Sequence, residues 1–243
     1  MVAPVLIVGA HGGIGEALAR QLAEEGYSLY LTARDEGALA DLASETGART
    51  ASCDVMDAAA IKAVVEDAAS DGGLAGLAYC VGSIVLKPLK AAREQDFMDC
   101  YRLNTVGAAL AAQAAAPALK QAHGSVVLFS TVAAQEGFGN HTIIAAAKGG
   151  VEALTRSLAT DLAPEVRVNC IAPSIHQTPL ADKLLNSQEM ADSLAGMHPL
   201  KRLGQAEDSA AMAAFLLGQQ SSWITGQVIA VDGGRGSLRM RGQ

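Results

Sequence analysis

The sequence predicts one α/β domain with a parallel β-sheet covered by helices, and three observations indicate this fold class. Short apolar runs rich in β-branched residues, too short for helices, alternate with longer stretches whose apolar residues recur at helical spacing. A glycine-rich turn joins the first run to the first helical stretch. The length of 243 residues suits one such domain or two small ones, and we expect a single one.

Composition and charge disfavour several classes of protein. Half of the residues are apolar and 18% are charged, which permits a large core and argues against disorder. The formal net charge of −7 disfavours nonspecific binding to nucleic acids. No apolar run approaches the ~20 residues of a membrane helix, and the N-terminus lacks the charged region and cleavage site of a secretory leader. We therefore expect a soluble, unprocessed, cytoplasmic protein.

The four cysteines are widely spaced and form no Cys-x-x-Cys pair. This spacing is typical of free thiols in a cytosolic protein and predicts neither a metal site nor a disulfide. The four are Cys53, Cys80, Cys100 and Cys170.

The glycine-rich turn follows the first predicted strand, Val5–Val8, whose four apolar residues indicate burial on both faces of a parallel sheet. Helical spacing of Ile14, Leu18 and Leu22 then begins. Glycines at this junction permit a sharp turn, close approach of a diphosphate and tight packing of helix on strand. The helix N-terminus adds free N–H groups and a positive dipole end. We expect nucleotide binding here, although many glycine turns are only turns.

The spacing Gly9-x-x-x-Gly13-x-Gly15 resembles the first turn of the short-chain dehydrogenase/reductase family. Val8 stands where that family usually has threonine. The resemblance implies a Rossmann-type doubly wound sheet of seven parallel strands flanked by helices, as a single NAD(P)-binding domain over residues 1–243. It also implies that the turn contacts the cofactor through Gly9, His11, Gly12, Gly13, Ile14 and Gly15.

The second predicted strand, Leu29–Ala33, ends beside Arg34, where a dinucleotide fold contacts the adenosine ribose. An acidic residue at the tip would bind the 2′-hydroxyl of NAD, whereas in this family an arginine implies the 2′-phosphate of NADP. We therefore expect NADP as the cofactor, with NAD less favoured. The alternative is a solvated arginine, and Asp35 could pair with it or repel phosphate.

The third predicted strand spans 48–53 and is followed by Asp54 and Val55. The resemblance implies that Asp54 bonds the adenine amino group and that Val55 packs near the ring. A cap for the predicted helix at 58–69 is the alternative role for Asp54, although Asp57 is better placed for it.

The fourth predicted strand, 77–81, leads to Gly82, the one residue kept from the family's Asn-Asn-Ala-Gly motif, which implies close passage of the cofactor. A long helical pattern then covers 94–121 and is interrupted at Pro117. Within it, Asn104 matches the asparagine that in the family bends this helix and holds a water linked to the active-site lysine. A polar residue in an apolar stripe normally needs a partner, which argues against a merely solvated role. In the family this helix builds dimers.

The fifth predicted strand, 125–130, precedes Thr131, which occupies the family's catalytic serine position, with Ser130 adjacent. Threonine keeps a hydroxyl that can bond a substrate oxygen. Lys148 matches the lysine of the family's Tyr-x-x-x-Lys motif, but Ile144 stands at the tyrosine position. In the family the lysine holds the ribose and lowers the pKa of the phenol, which then transfers the proton. Isoleucine can neither give nor take that proton.

The sixth predicted strand, 166–171, leads into Pro173, with Ser174 in place of a family glycine and Thr178 at a cofactor-binding position. Residues around 175–200 resemble the family's substrate lid, although an amphipathic helix would account for the same pattern. The apolar residues of this segment are Leu184, Leu185, Met190, Leu194 and Met197. The segment 223–234 matches the family's last strand, and no role is predicted for 235–243.

The resemblance implies an NADP(H)-dependent oxidoreductase acting on a carbonyl or alcohol, with impaired or atypical proton transfer at Ile144. The alternative is a catalytically inactive NADP(H)-binding protein with a structural or regulatory role. A third hypothesis assigns a substitute acid, with His141 and His176 nearest in sequence. We expect an apolar small-molecule substrate, no metal, no nucleic acid or membrane partner, and a homodimer or homotetramer.

Overall fold

A parallel sheet of seven strands forms the centre of the computed structural model, which describes residues 3–70 and 72–239. The strands of the chain are β1 (Val5–Val8), β2 (Leu29–Ala33), β3 (Arg49–Ser52), β4 (Gly76–Tyr79), β5 (Ser125–Phe129), β6 (Arg167–Pro173), β7 (His176–Gln177), β8 (Gly204–Gln205) and β9 (Val228–Val231). The sheet has the order β3-β2-β1-β4-β5-β6-β9, and β7 pairs with β8 outside it. All neighbouring strands are parallel, which confirms the predicted fold class.

Helices cover both faces of the sheet. They are α1 (Gly13–Glu24), α2 (Ala40–Thr46), α3 (Ala58–Ala68), α4 (Glu94–Tyr101), α5 (Gly107–Ala122), α6 (Thr142–Leu162), α7 (Gln188–Gly196) and α8 (Ala206–Leu217). Buried side chains of α3, α5 and α6 share one apolar core with the sheet, and those of α1, α2 and α8 share another.

Alternation along β1 explains why this short strand is apolar throughout. Leu6 and Val8 belong to the core under α3, α5 and α6, whereas Val5 and Ile7 belong to the core under α1, α2 and α8. Successive side chains of a strand point to opposite faces, so a central strand between two helical layers needs apolar residues at every position.

The strand order reverses beside β1. The chain runs outward from β1 to β2 and β3, and then crosses to β4 on the other side of β1. Open α/β sheets bind ligands at the carboxyl ends of the strands next to such a switch point. β1 and β2 have the predicted bounds, while β4 ends at Tyr79 rather than at residue 81 because the chain then leaves the sheet and passes Gly9.

The helical region 94–121 departs from the prediction at one point. The helix continues through Pro117 to Ala122, and the irregularity lies earlier, in a π-helical turn over Arg102–Val106. Within that turn the side-chain amide of Asn104 donates to the carbonyl of Cys100, 2.9 Å away. This is the carbonyl that the backbone N–H of Asn104 would reach in a regular α-helix, so the side chain accounts for the wider turn.

Helix length and the state of the cysteines bear on two further expectations. None of the helices in 3–70 and 72–239 is long and apolar enough to cross a membrane. All four cysteines are free thiols, and three of them are buried.

Candidate active site

A cavity of about 410 Å³ lies at the carboxyl ends of β4, β5 and β6. Its floor comes from the segments that follow these strands, around residues 80–84, 129–133 and 173–176. Apolar side chains of the segment after β7 form one wall, namely those of Leu180, Leu184, Met190 and Leu194. α7 buries no residue fully, so it is an amphipathic surface helix that also contributes to the cavity wall.

The glycine turn leads into the N-terminus of α1, where Ile14 lines this cavity. Gly9 has a φ of +86°, a backbone conformation that residues other than glycine rarely adopt. Its N–H donates to the carbonyl of Thr32 at 2.9 Å. A Cβ on Gly15 would lie 2.5 Å from the carbonyl oxygen of Gly9, and one on Gly13 would lie 2.8 Å from the side chain of Thr178. These glycines leave room for a close ligand at the N-terminus of α1, which fits a diphosphate group.

The other residues predicted at the turn differ in accessibility. His11 and Gly12 are exposed, with Gly12 at the N-cap of α1. Ile14 lines the cavity, as do Pro173 at the end of β6 and Thr178.

Arg34 extends from the end of β2 as an exposed cation. The carboxylate of Asp35 accepts a hydrogen bond from the N–H of Gly37 at 3.0 Å, so it caps the following turn. No ion pair joins Arg34 to a carboxylate within residues 3–70 and 72–239. The guanidinium is thus accessible to an anionic ligand, as the NADP hypothesis requires.

Asp54 and Val55 have contrasting environments at the end of β3. Asp54 is exposed and its carboxylate accepts from the N–H of Met56 at 2.9 Å, whereas Val55 is buried in the core. Asp57 caps α3 through the N–H of Ala59 at 2.8 Å, as the sequence indicated. Asp57 thus fills the capping role, and the exposed Asp54 makes no cap to α3.

Lys148 is a buried cation at the base of the cavity. Its ammonium donates to the carbonyl of Phe129 at 2.7 Å, and burial lowers its pKa to about 8. A Cβ on Gly82 would lie 3.3 Å from Lys148 Nζ and 3.4 Å from Asn104 Oδ1, so these two polar atoms face the same small space.

Asn104 is held by its amide nitrogen alone. This nitrogen donates to the carbonyl of Cys100 at 2.9 Å and to Ser83 Oγ at 3.0 Å. Its buried Oδ1 has no hydrogen-bond partner in the described part of the chain. An orphaned acceptor beside a buried ammonium fits a site that a polar ligand or water completes.

Thr131 is the hydroxyl-bearing residue at the end of β5 that remains accessible to a ligand. It lines the cavity, and its oxygen accepts from the N–H of Ala133 at 3.3 Å, which leaves its proton for another acceptor. The hydroxyl of Ser130, by contrast, is used within the protein, because it donates to Glu152 at 2.9 Å. The geometry therefore favours Thr131 over Ser130 as the substrate-facing hydroxyl.

Ile144 occupies the wall of the cavity one helical turn before Lys148. It is 5% exposed and packs in an apolar cluster with Cys100, Ile143 and Ala147. No tyrosine lines the cavity within residues 3–70 and 72–239. Tyr79, the tyrosine nearest in sequence to the cavity wall, donates its hydroxyl to the carbonyl of Leu103 at 2.7 Å.

The two candidate histidines differ in what they can donate. His176 Nδ1 bonds the carbonyl of Ser174 at 2.9 Å and its Nε2 bonds Ser209 Oγ at 2.9 Å, so both nitrogens are engaged. Burial also lowers the pKa of His176, which favours its neutral form. His141 lines the cavity and uses Nδ1 on the carbonyl of Gly139 at 2.7 Å, and Nε2 makes no hydrogen bond to the described residues. Of these two histidines, His141 is the one that keeps a ring nitrogen available for a substrate.

Arg235 is a cavity residue for which the sequence predicted no role. It follows the last strand and lines the cavity, with its guanidinium 4.7 Å from the centre of the Phe138 ring. A charged residue just after a glycine pair gave no sign in the sequence of being turned inward.

Comparison with known proteins adds independent information. A family model described as enoyl-(acyl carrier protein) reductase matches residues 9–235. A chloroplastic tropinone reductase homologue of Arabidopsis thaliana is 33% identical over 238 residues, which cover 94% of this chain and 74% of the relative. The short-chain reductase protein NovJ of Streptomyces niveus is 32% identical over 95% of this chain and 92% of its own.

Solved structures share the same architecture. A short-chain type dehydrogenase/reductase from Mycobacterium ulcerans is 29% identical, with a TM-score of 0.90 over 98% of this chain and 92% of that one. ElxO with NADP bound is 26% identical, with a TM-score of 0.91 over 98% of this chain and all of that one. A tyrosine-to-phenylalanine variant of ElxO with NADPH bound has a TM-score of 0.91 and 27% identity, over 98% of this chain and 100% of that one.

Proposed function

The chain belongs to the short-chain dehydrogenase/reductase family, and we propose that it is an NADP(H)-dependent oxidoreductase acting on a carbonyl or alcohol with impaired proton transfer. The observation that carries this proposal is the shared space at Gly82. There Lys148 and Asn104 keep buried polar atoms beside the cavity, while Ile144 fills the position from which a phenol would act. Family membership supports the oxidoreductase class.

The cofactor site fits a dinucleotide phosphate along its length. The glycine turn would hold the diphosphate, Arg34 the 2′-phosphate and Asp54 the adenine. Lys148 would bind the ribose near the reacting ring, with Pro173 and Thr178 beside it. The NADP-bound structure of ElxO, a protein of the same fold, is consistent with NADP as the cofactor.

The chain's own groups cover substrate binding but not proton donation. NADPH, when bound, supplies a hydride. The hydroxyl of Thr131 donates a hydrogen bond to the substrate oxygen, and the Lys148 ammonium places positive charge nearby. Ile144 presents only methyl and methylene groups, so it excludes water and gives no proton. The segment around 175–200 serves as an apolar lid over the substrate.

The second candidate function is NADP(H) binding without turnover, and the specific observation in its favour is the apolar cluster around Ile144. An isoleucine packed among Cys100, Ile143 and Ala147 leaves no acid on this face of α6 within the described residues. A variant of ElxO in which one tyrosine is replaced by phenylalanine carries NADPH. This supports the view that a protein of this fold can bind the cofactor after losing a tyrosine hydroxyl.

Two measurements on the unmodified protein separate these functions. Titration with NADPH, NADP⁺, NADH and NAD⁺ measures cofactor binding, and steady-state assays with ketones, aldehydes and alcohols measure turnover. We expect binding that favours NADPH, with slow reduction of apolar carbonyls. Binding without any turnover would favour the second function. Failure of all four cofactors to bind would refute both.

A further inference from the structure

The charge of the cavity differs from that of the protein as a whole. The chain carries a formal net charge of −7. Nevertheless, no aspartate or glutamate lines the cavity within residues 3–70 and 72–239, whereas Lys148, Lys183 and Arg235 do. Lys148 belongs to the cofactor site already described. The remaining cations, Lys183 on the rim and Arg235 in the wall, have no role in that site.

Arg235 is a half-buried cation without an acidic partner. Its guanidinium lies on the Phe138 ring at 4.7 Å, and one nitrogen is 3.5 Å from the thioether sulfur of Met197. Burial lowers the pKa of Arg235, and no carboxylate in the described part of the chain forms an ion pair with it. Cations that lose water in this way normally gain a carboxylate or another anion in exchange.

The nearest acid in the sequence is already engaged. The two carboxylate oxygens of Asp232 accept from the backbone N–H groups of Gly234 at 2.8 Å and Gly236 at 2.6 Å. Asp232 therefore shapes the turn that presents Arg235 and does not neutralise it. Arg239, four residues further on, is exposed and forms an ion pair with Glu136 at 3.2 Å. It therefore serves as a control for Arg235, because it is an arginine of the same segment that has an acidic partner.

Phe138 supports the Arg235 guanidinium from one side. The ring of His141 meets that of Phe138 edge-on, with centroids 5.5 Å apart and planes at 74°. A guanidinium held over an aromatic face still has N–H groups at its edge, and these can bind a carboxylate in bidentate fashion. The rest of the cavity wall, from Leu180 to Leu194, is largely apolar.

We propose that the cavity binds an oxo acid, a substrate with an apolar body, a carbonyl to be reduced and a carboxylate that pairs with Arg235. This inference rests on the proposed function and names its substrate class. A carboxylate matches the single charge and the planar shape of the Arg235 guanidinium, whereas a phosphate monoester, at about −1.5 to −2 near pH 7, exceeds the one charge of Arg235. Lys183 adds long-range attraction at the entrance.

The test measures binding by calorimetry to the full chain in the presence of saturating NADP⁺, which cannot reduce a ketone. The probes are straight-chain methyl-ketone carboxylates of six, eight and ten carbons, each paired with its own methyl ester. We expect the acid of best length to bind at least about tenfold more tightly than its ester, as one charge-assisted pair provides. Arg235→Gln removes this preference and leaves ester affinity unchanged, Arg235→Lys retains part of it, and Arg239→Gln retains all of it.

Three results would overturn the proposal. Equal affinity for acid and ester at every length would do so, as would an acid preference that survives Arg235→Gln. Tighter binding of a methyl-ketone phosphate monoester than of any carboxylate would assign the site to phosphate instead. NADP⁺ affinity is measured separately for each variant, and the probes are also titrated without cofactor. Loss of NADP⁺ binding in the unmodified protein thus refutes the proposed function, whereas loss of the acid preference refutes only the carboxylate site.

Discussion

Replacing Ile144 with tyrosine should restore a proton donor to the cavity. Position 144 lies one helical turn before Lys148 on α6, and both residues line the cavity together with Thr131. A phenol directed into the cavity of about 410 Å³ would stand beside the lysine and the threonine hydroxyl. We therefore expect Ile144→Tyr to accelerate carbonyl reduction.

The size of the expected rate increase depends on the charge of Lys148 and on the packing around position 144. A phenol has a pKa of ~10, and a cation within ~4–6 Å typically lowers such a value by ~1–3 units. Lys148, with a pKa of about 8, is largely charged at neutral pH and can supply that cation. General acids typically contribute ~10²–10⁴ in rate. Overpacking of a residue that is 5% exposed costs about 1–3 kcal/mol and reduces the gain, so at least ~10-fold is expected.

The assay follows NADPH consumption with a panel of ketones and compares kcat and KM for three proteins. Ile144→Phe is the matched control, because it adds the same ring without the hydroxyl. The rate should rise in Ile144→Tyr alone, with a pH profile that reports the new phenol. Equal rates for the tyrosine and phenylalanine variants would refute the reasoning. Fast turnover of the unmodified chain that His141→Ala abolishes would establish His141 as the acid instead.

Three further variants test the cofactor site, and one of them also tests the burial of Lys148. Arg34→Ala should bring the dissociation constants for NADP⁺ and NAD⁺ together, because the cation for the 2′-phosphate is lost; equal constants in the unmodified protein would contradict the NADP assignment. Lys148→Met should weaken NADPH binding at least tenfold. In the folded protein the pKa of Lys148 is about 8, against 10.5 for an ordinary lysine. Between these two pH values the unfolded chain therefore binds more protons than the folded protein does. Lys148 consequently destabilises the fold most below pH 8, where its buried amine is charged. The stability advantage of Lys148→Met in chemical denaturation should thus shrink by on the order of 3 kcal/mol from pH 8 to 10.5, and a constant difference would contradict the burial effect. Gly15→Ala should reduce NADPH affinity at least tenfold, because its Cβ would meet the Gly9 carbonyl at 2.5 Å, whereas Gly149→Ala, with open space around it, should leave affinity unchanged.

Local order was largely predictable from the sequence, since it depends on neighbours along the chain. The strands β1 and β2 have the bounds that their apolar runs indicated, because a strand between two helical layers must be apolar at every position. The cap at Asp57 and the glycine turn followed from short-range hydrogen bonding and steric limits. The resemblance to the family pointed to Lys148, Asn104 and Ile144, and the polar atoms of the first two face one space beside Gly82.

The fates of individual polar side chains depended on tertiary structure. Pro117 did not end its helix, and the irregularity instead followed from the side chain of Asn104 competing for a backbone carbonyl. His176 is a poor candidate for the acid because its Nε2 is hydrogen-bonded to Ser209, a residue distant in sequence. Arg235 and Phe138 meet only because the chain returns from β9 to the mouth of the cavity. Sequence patterns report periodicity and local bonding, whereas the desolvation of a charge depends on which distant segments cover it, and only the folded chain determines that.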